Sequence, residues 1–131
     1  MNPPGLVLDL LPGRHAVCRL AADLPVPDWA LAPGAFASIT RTVEELSIVC
    51  PEAAVPPGTQ AEKGLRILKV RGVLEFSLTG ILASIALPLA AAEVSIFAVS
   101  TFDTDYVLVP AATLEAALGA LRAAGHTVGV G

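Results

Sequence analysis

Aromatic side chains are scarce in this chain: one tryptophan, one tyrosine and four phenylalanines among 131 residues. Charge is scarce too, at 15% of positions, with 8 basic and 12 acidic side chains and a net charge of −4. The basic residues Arg14, Arg19, Arg41, Lys63, Arg66, Lys69, Arg71 and Arg122 are scattered, and only Arg66, Lys69 and Arg71 cluster. No basic stripe is available to neutralise phosphates, which argues against a nucleic-acid partner. Two cysteines, Cys18 and Cys50, are too few for a disulfide scaffold or a closed zinc site. Both fall in apolar runs that read as strands, so buried thiols in a reducing, cytoplasmic setting are expected. His15 and His126 have no partner at metal-ligand spacing; each reads as structural or exposed, and no metal or cofactor is expected. The stretch Met1-Asn2-Pro3-Pro4-Gly5 lacks a basic region and a cleavage site, so a secretory leader is not expected. GxSxG, HExxH, P-loop and Rossmann fingerprints are all missing, and the carboxylates Glu44 and Glu45 read as a solvated turn. The expectation is therefore a chain that is not an enzyme.

What is plentiful is apolar content, 54% of residues, which excludes disorder and exceeds what one small core can hide. Some of it is expected in a subunit interface. Between Glu75 and Glu93 there is no charge, close to the length of a membrane span. That stretch contains Ser77, Thr79, Gly80, Ser84 and Pro88, and Leu78, Ile81, Leu82, Ile85 and Leu89 recur at helical spacing. A buried amphipathic helix fits better than a membrane helix.

Proline punctuates the first half. Leu6 to Leu10 reads as a strand, the Pro12-Gly13 turn follows, and His15 to Leu20 reads as its hairpin partner. Asp28 reads as the cap of a helical turn carrying Trp29, a core or lid residue. Phe36 to Thr40 reads as a strand, Thr42 to Glu45 as a helical turn, Leu46 to Cys50 as a strand, and Pro51 to Gly64 as a loop or linker.

The second half is cleaner. Leu65 to Val70 is a strand. Thr79 to Ala91 is a helix capped by Thr79 or Ser77. Val94 to Thr101 and Asp105 to Val109 form a hairpin around Phe102-Asp103-Thr104. Pro110 opens a second helix with apolar face Leu114, Ala117, Leu118 and Leu121, Gly125 ends it, and His126 to Val130 is a last strand. This β-α-β-β-α-β order is the α+β, ferredoxin-like pattern, with helices on one face of a four-stranded antiparallel sheet. Both faces of the hairpin are apolar, Phe97 and Val99 on one and Ile96 and Ala98 on the other. The second face is therefore expected to be covered, by the first half or by a second copy of the chain.

The segment Ser95-Ile96-Phe97-Ala98-Val99-Ser100-Thr101-Phe102-Asp103-Thr104-Asp105-Tyr106-Val107-Leu108-Val109 resembles the "ISTxxTDYxLV" motif of small bacterial ACT-like proteins related to the animal cytosolic arginine sensors of the CASTOR type. Phe36 to Thr42, Glu45 to Pro51 and Phe76 to Leu82 agree, so the resemblance runs from about Leu6 to Val130. It implies two ACT-like units in tandem, residues 1–60 with reduced helices and residues 61–131. It also implies amino-acid binding at interfaces between units, in the service of regulation.

Candidate site residues follow. Ser77, Leu78, Thr79, Gly80 and Ile81 lie at a strand-to-helix junction, where unpaired N–H groups suit a carboxylate. Gly80 lets a ligand approach the backbone. Phe102, Asp103, Thr104 and Asp105 form the hairpin turn. Asp103 suits a turn by its own chemistry; Asp105 lies inside the strand, where Asp is depleted, and is the stronger candidate for an ammonium or guanidinium group. The resemblance implies that the helix junction holds an amino-acid backbone, that Asp105 faces the ligand side chain, and that Ser95 and Ile96 act across a dimer. The expected partners are thus a small-molecule ligand of amino-acid class and a second copy of the chain. The alternative is a protein-interaction or structural module with no small ligand. An enzyme is supported only by fold analogy.

Overall fold

The computed structural model describes residues 5–72 and 79–130. The strands are β1 (Val7–Leu10), β2 (His15–Leu20), β3 (Ser38–Arg41), β4 (Leu46–Pro51), β5 (Ala61–Val70), β6 (Phe97–Ser100), β7 (Asp105–Pro110) and β8 (Thr127–Val130). The α-helices are α1 (Ile81–Ala91) and α2 (Leu114–Ala123), and 3₁₀ turns occupy Asp28–Leu31, Glu52–Ala54 and Ala111–Thr113. The chain divides into two compact units, residues 13–65 and residues 1–12 with 66–131. This differs from a division near residue 60, because β1 belongs with the second half.

The unit of residues 13–65 runs β2, 3₁₀ turn, β3, β4, 3₁₀ turn, then the first part of β5, in the sheet order β3-β4-β2-β5. That is the ferredoxin-like order with a 3₁₀ turn in place of each helix. Its small core joins Ala16, Cys18, Ala30, Leu46, Ile48, Cys50 and Val55, with Trp29 packed against it. Asp28 is the first residue of its turn and makes no cap; Pro27 holds the cap position. The expected helical turn at Thr42–Glu45 is instead a hairpin loop. Thr42 N–H donates to Glu45 O at 2.9 Å, and the Thr42 hydroxyl accepts from the amides of Glu44 and Glu45. The segment read as a loop from Pro51 to Gly64 is shorter: β5 begins at Ala61 and pairs Glu62 with Val17.

The other unit carries the second part of β5, then α1, β6, β7, α2 and β8, in the order β6-β7-β5-β1-β8. The sheet therefore has five strands, where four were expected. β1 lies between β5 and β8, antiparallel to the first and parallel to the second. The expected β1–β2 hairpin does not form. β2 takes β4 instead, in a continuous register from His15↔Pro51 to Leu20↔Leu46. The sequence-local turn loses because β1 gains two strand partners and places Leu8 in the main core. That core joins Leu8, Leu68, Val70, Val107 and Val109 of the sheet to Ile85 and Leu89 of α1 and Ala117, Leu118 and Leu121 of α2. On the opposite sheet face Ile67 and Leu108 are fully buried while Phe97 on the edge strand is 38% exposed.

Helix ends explain several details. α1 starts after Gly80, whose φ of 78° is left-handed and which holds the cap position in place of Thr79; Ser77, the other expected cap, lies outside the described residues. It ends in a Schellman arrangement: Glu93 N–H donates to Ala90 O and Val94 N–H to Leu89 O, with Glu93 at φ 60°. α2 ends the same way around Gly125.

Pro88 lies inside α1 and has no N–H, so the Ser84 carbonyl loses its helical donor. His126 supplies the replacement. Its Nε2 lies 2.8 Å from Ser84 O, and its Nδ1 accepts the Leu6 N–H at 3.0 Å. The Leu6 contact leaves Nδ1 without a proton, which assigns the proton to Nε2. His126→Ala is expected to cost about 2–3 kcal/mol, since it strands one buried donor and one acceptor. In a Pro88→Ala background the cost should be smaller, because the helix then satisfies Ser84 O itself. Urea unfolding of the four chains of this double-mutant cycle measures the difference; equal costs in both backgrounds would sink the account.

Cys18 and Cys50 are free and buried on one face of the β2–β4 pair. Burial and the neighbouring Cys18 push the Cys50 thiol up to about 11. An unfolded thiol ionises near 9. Below that pH both states hold the proton, and between about 9 and 11 only the unfolded chain loses it, so stability should fall through that window. Unfolding midpoints from pH 8 to 11 should show this decline, and Cys50→Ala should flatten it.

Candidate functional site

The tip of the β6–β7 hairpin and the start of α1 lie at the same end of the βαββαβ unit. Thr104 fixes this. Its side chain is buried, and its hydroxyl donates at 2.7 Å to the carbonyl of Val70, the last residue of β5. Within the turn, Thr101 N–H donates to Thr104 O at 2.9 Å, and the Thr101 hydroxyl donates to the same oxygen at 3.0 Å. The amide of Thr104 donates back to the Thr101 hydroxyl at 3.3 Å. The Thr-x-x-Thr spacing is what allows both threonines to close one turn.

This turn presents Asp105. In β7, Asp105 alternates with Val107 and Val109, which lie in the helix-covered core. Its carboxylate therefore stands on the same side of the sheet as α1. Ser100 is its register partner and donates its hydroxyl to Asp105 Oδ1 at 2.6 Å. A carboxylate held by a hydroxyl keeps its other oxygen for a cationic group. The first-turn amides of α1 point out of the helix, and Gly80 at the cap position has no side chain to meet them. Anion-favouring donors and a cation-favouring carboxylate thus occupy the same end of the unit.

The other sequence candidates divide clearly. Thr79 and Gly80 are exposed at the helix start and Ile81 packs inward as the first helical residue. Ser77 and Leu78 lie outside the described residues. Phe102 is 79% exposed and Asp103 is exposed on the turn. Ser95 and Ile96 are exposed but precede β6, at the opposite end from the turn. Ile96 and Thr101 flank the four residues of β6, five positions and about 16 Å apart along the strand. Within one copy of the chain they do not join Asp105. Ser100 and Thr101 join the residues at this end of the unit, and it is the strand register that brings the Ser100 hydroxyl opposite the Asp105 carboxylate. Nearby Arg71 is committed elsewhere: its Nε donates to Asp9 Oδ2 at 3.1 Å and its Nη2 pairs with Asp9 Oδ1, and this bonding lowers the Asp9 carboxyl from its ordinary value.

Among the described residues, no group of three or more His, Cys, Asp and Glu side chains is placed to hold a metal ion, and no helix is long and apolar enough to cross a membrane.

Thr104→Val tests the turn. It removes the bond to Val70 O while keeping shape, and is expected to cost about 1–2 kcal/mol. Amide exchange should speed up at residues 101–105 before it does so in β1 or β8.

Comparison with known proteins gives the chain its relatives. A family model described as ACT domain matches residues 60–123, and a second, described as an N-terminal domain, matches residues 13–58. The crystal structure of a protein from Agrobacterium tumefaciens is similar over 98% of this chain and 96% of that one, with 39% identity and a TM-score of 0.92. A protein of unknown function from Vibrio cholerae, described as a possible transport protein, is 20% identical with a TM-score of 0.74, over 92% of this chain and 90% of that one. The ligand-free regulatory subunit of aspartate kinase from Thermus thermophilus is 19% identical with a TM-score of 0.60, over 90% and 94%. The last two likenesses show the fold alone. A search of the curated proteins found no match.

Proposed function

We propose that this chain, which belongs to the ACT domain family, is a regulatory protein that senses a free amino acid by binding rather than by catalysis. The observation that carries the reading is that Asp105, bonded by Ser100, and the start of α1 lie at the same end of the unit, where Thr104 meets the end of β5 and His126 meets Ser84. A ligand carboxylate would meet the first-turn amides, aided by the helix dipole, and a cationic group would meet Asp105. The regulatory subunit of aspartate kinase among the structural neighbours supports a regulatory role for this architecture. Ser95 and Ile96 lie too far from Asp105 to act in the same copy, so the reading includes a homodimer in which a second chain brings them to the ligand. The protein would act in the cytoplasm, where buried free thiols persist.

A thermal-shift screen of the purified chain against the twenty amino acids, alongside its native mass, tests this. A ligand at roughly 100 times its dissociation constant should stabilise the fold by about 2.7 kcal/mol. For a chain of this size that is a shift of several degrees. One or two amino acids should produce it in a dimer, and Asp105→Ala should abolish it. A flat screen would overturn the reading in favour of a protein-interaction module.

A further inference from the structure

The unit of residues 13–65 contains a hollow of its own, and nothing in the reading above uses it. A cavity of about 180 Å³ opens on its sheet, floored by Val17 and ringed by Arg19, Ser47, Gln60, Glu45 and Glu62. The pleat explains the gathering. Ala16, Cys18, Ile48 and Cys50 turn into the small core, so Val17, Arg19 and Ser47 turn to the opposite face.

The register arranges these side chains by chemistry. Ser47 is directly across from Arg19 on β4, and on the other side Arg19 N–H donates to Gln60 O at 2.9 Å. A hydroxyl, a guanidinium and a side-chain amide, all hydrogen-bond donors, thus form a row across the strands. The carboxylates flank that row. Glu62 pairs with Val17, two residues along β2 from Arg19, and Glu45 precedes Leu46, which pairs with Leu20. Each is a diagonal neighbour of Arg19, about 7–8 Å away and somewhat less between β-carbons.

Opposite charges at this spacing would be expected to close on one another. They do not: among the described residues the ion pair closer than 4 Å joins Arg71 to Asp9. Arg19 instead donates its Nη2 to the backbone carbonyl of Glu44 at 3.0 Å, which holds the guanidinium at the rim. The hollow therefore keeps an anion-binding row and two cation-binding carboxylates apart, with space between them.

We propose that this hollow binds a small zwitterion whose carboxylate and ammonium are separated by several bonds. The carboxylate sits on the Ser47–Arg19–Gln60 row and the ammonium reaches Glu62 or Glu45. Arg19 gives the anion paired, planar donors, which a lysine would not. At about 180 Å³ the hollow is below the usual range for drug-sized ligands, which suits a short, unbranched molecule.

The test is a ¹⁵N amide-shift titration of the full chain with glycine, β-alanine, 4-aminobutyrate and 5-aminovalerate, each also as its N-acetyl form. The expected result is saturable shifts at Arg19, Ser47 and Gln60, tightening as the charges separate and lost on acetylation. Arg19→Gln should weaken binding at least tenfold, with Arg19→Lys intermediate and both variants folded like the parent. Asp105→Ala, in the other unit, should leave the titration unchanged. That separates this site from the amino-acid site above, since either can fail alone. Shifts absent from β2 and β4, or retained by the acetylated probes, would overturn the proposal.

Discussion

One hydrogen-bonded chain ties the βαββαβ unit together, and it begins with a missing proton. Pro88 cannot donate to Ser84 O, His126 does so instead, and the other nitrogen of His126 accepts from Leu6. The proline thereby recruits the first residue of β8's approach and the first residue of β1's approach to the same helix. The bond to Leu6 anchors β1 at its start, beside its pairing with β5 and β8. Thr127 N–H to Leu6 O at 2.8 Å and Arg71 N–H to Val7 O at 2.8 Å continue the line. Gly5 is part of the same constraint, because a side chain there would run into the Gly125 carbonyl oxygen. Glycine at 5 and glycine at 125 let the incoming strand pass the end of α2.

The insertion of β1 sets the order in which the chain can be completed. The helices and the β6–β7 hairpin are local, whereas β1 pairs across more than a hundred residues with β8. Closing that distance costs conformational entropy that grows slowly with length, and non-local pairing slows folding. The sheet can assemble as β6-β7-β5 with its helices, leaving β5 open on one side until β1 arrives. Leu8 then completes the core beside Val70 and Val94, and β8 gains its parallel neighbour. A cut near residue 60 would separate β1 from the sheet it completes, although the family match begins there.

The parts of this fold that the amino-acid pattern made legible are those decided locally. Helix α2 follows from the spacing of Ala117, Leu118 and Leu121 and from Gly125. The β6–β7 hairpin follows from β-branched runs on each side of Phe102-Asp103-Thr104. Strand β2 was legible to the residue, yet its partner was not. Pro12-Gly13 between two apolar runs is a good turn signal, and nothing within those runs says that β1 prefers β5. That preference comes from Leu8 fitting a core built mostly by residues beyond 66. The α1 start was misplaced for a related reason: Thr79 has the right chemistry for a cap, but Gly80 takes the left-handed φ and the cap position. At the site, Asp105 was legible as a misfit in a strand. Ser100 was not singled out, because a serine at a strand end carries no signal until the register sets it opposite a carboxylate. The polar hollow was invisible for the same reason. Arg19, Ser47 and the Gln60–Glu62 segment lie far apart in the chain, and only pairing aligns them.

The two units then differ in what their backbones offer a ligand. The βαββαβ unit has a true helix, and so has first-turn amides and a dipole to offer an anion. The unit of residues 13–65 has only 3₁₀ turns of three or four residues, capped by proline positions without side-chain bonds. Such short turns supply no comparable dipole. If that unit is to bind anything charged, side chains on its sheet must do it, and a strand face needs alternation to present them. Alternating Val17 and Arg19 against Ala16, Cys18 and Leu20 provides that, with the small apolar residues filling a thin core and the polar ones facing out. A ferredoxin-like order with 3₁₀ turns in place of helices thus has side chains, placed by strand register, to offer a charged group where the other unit has the end of a helix.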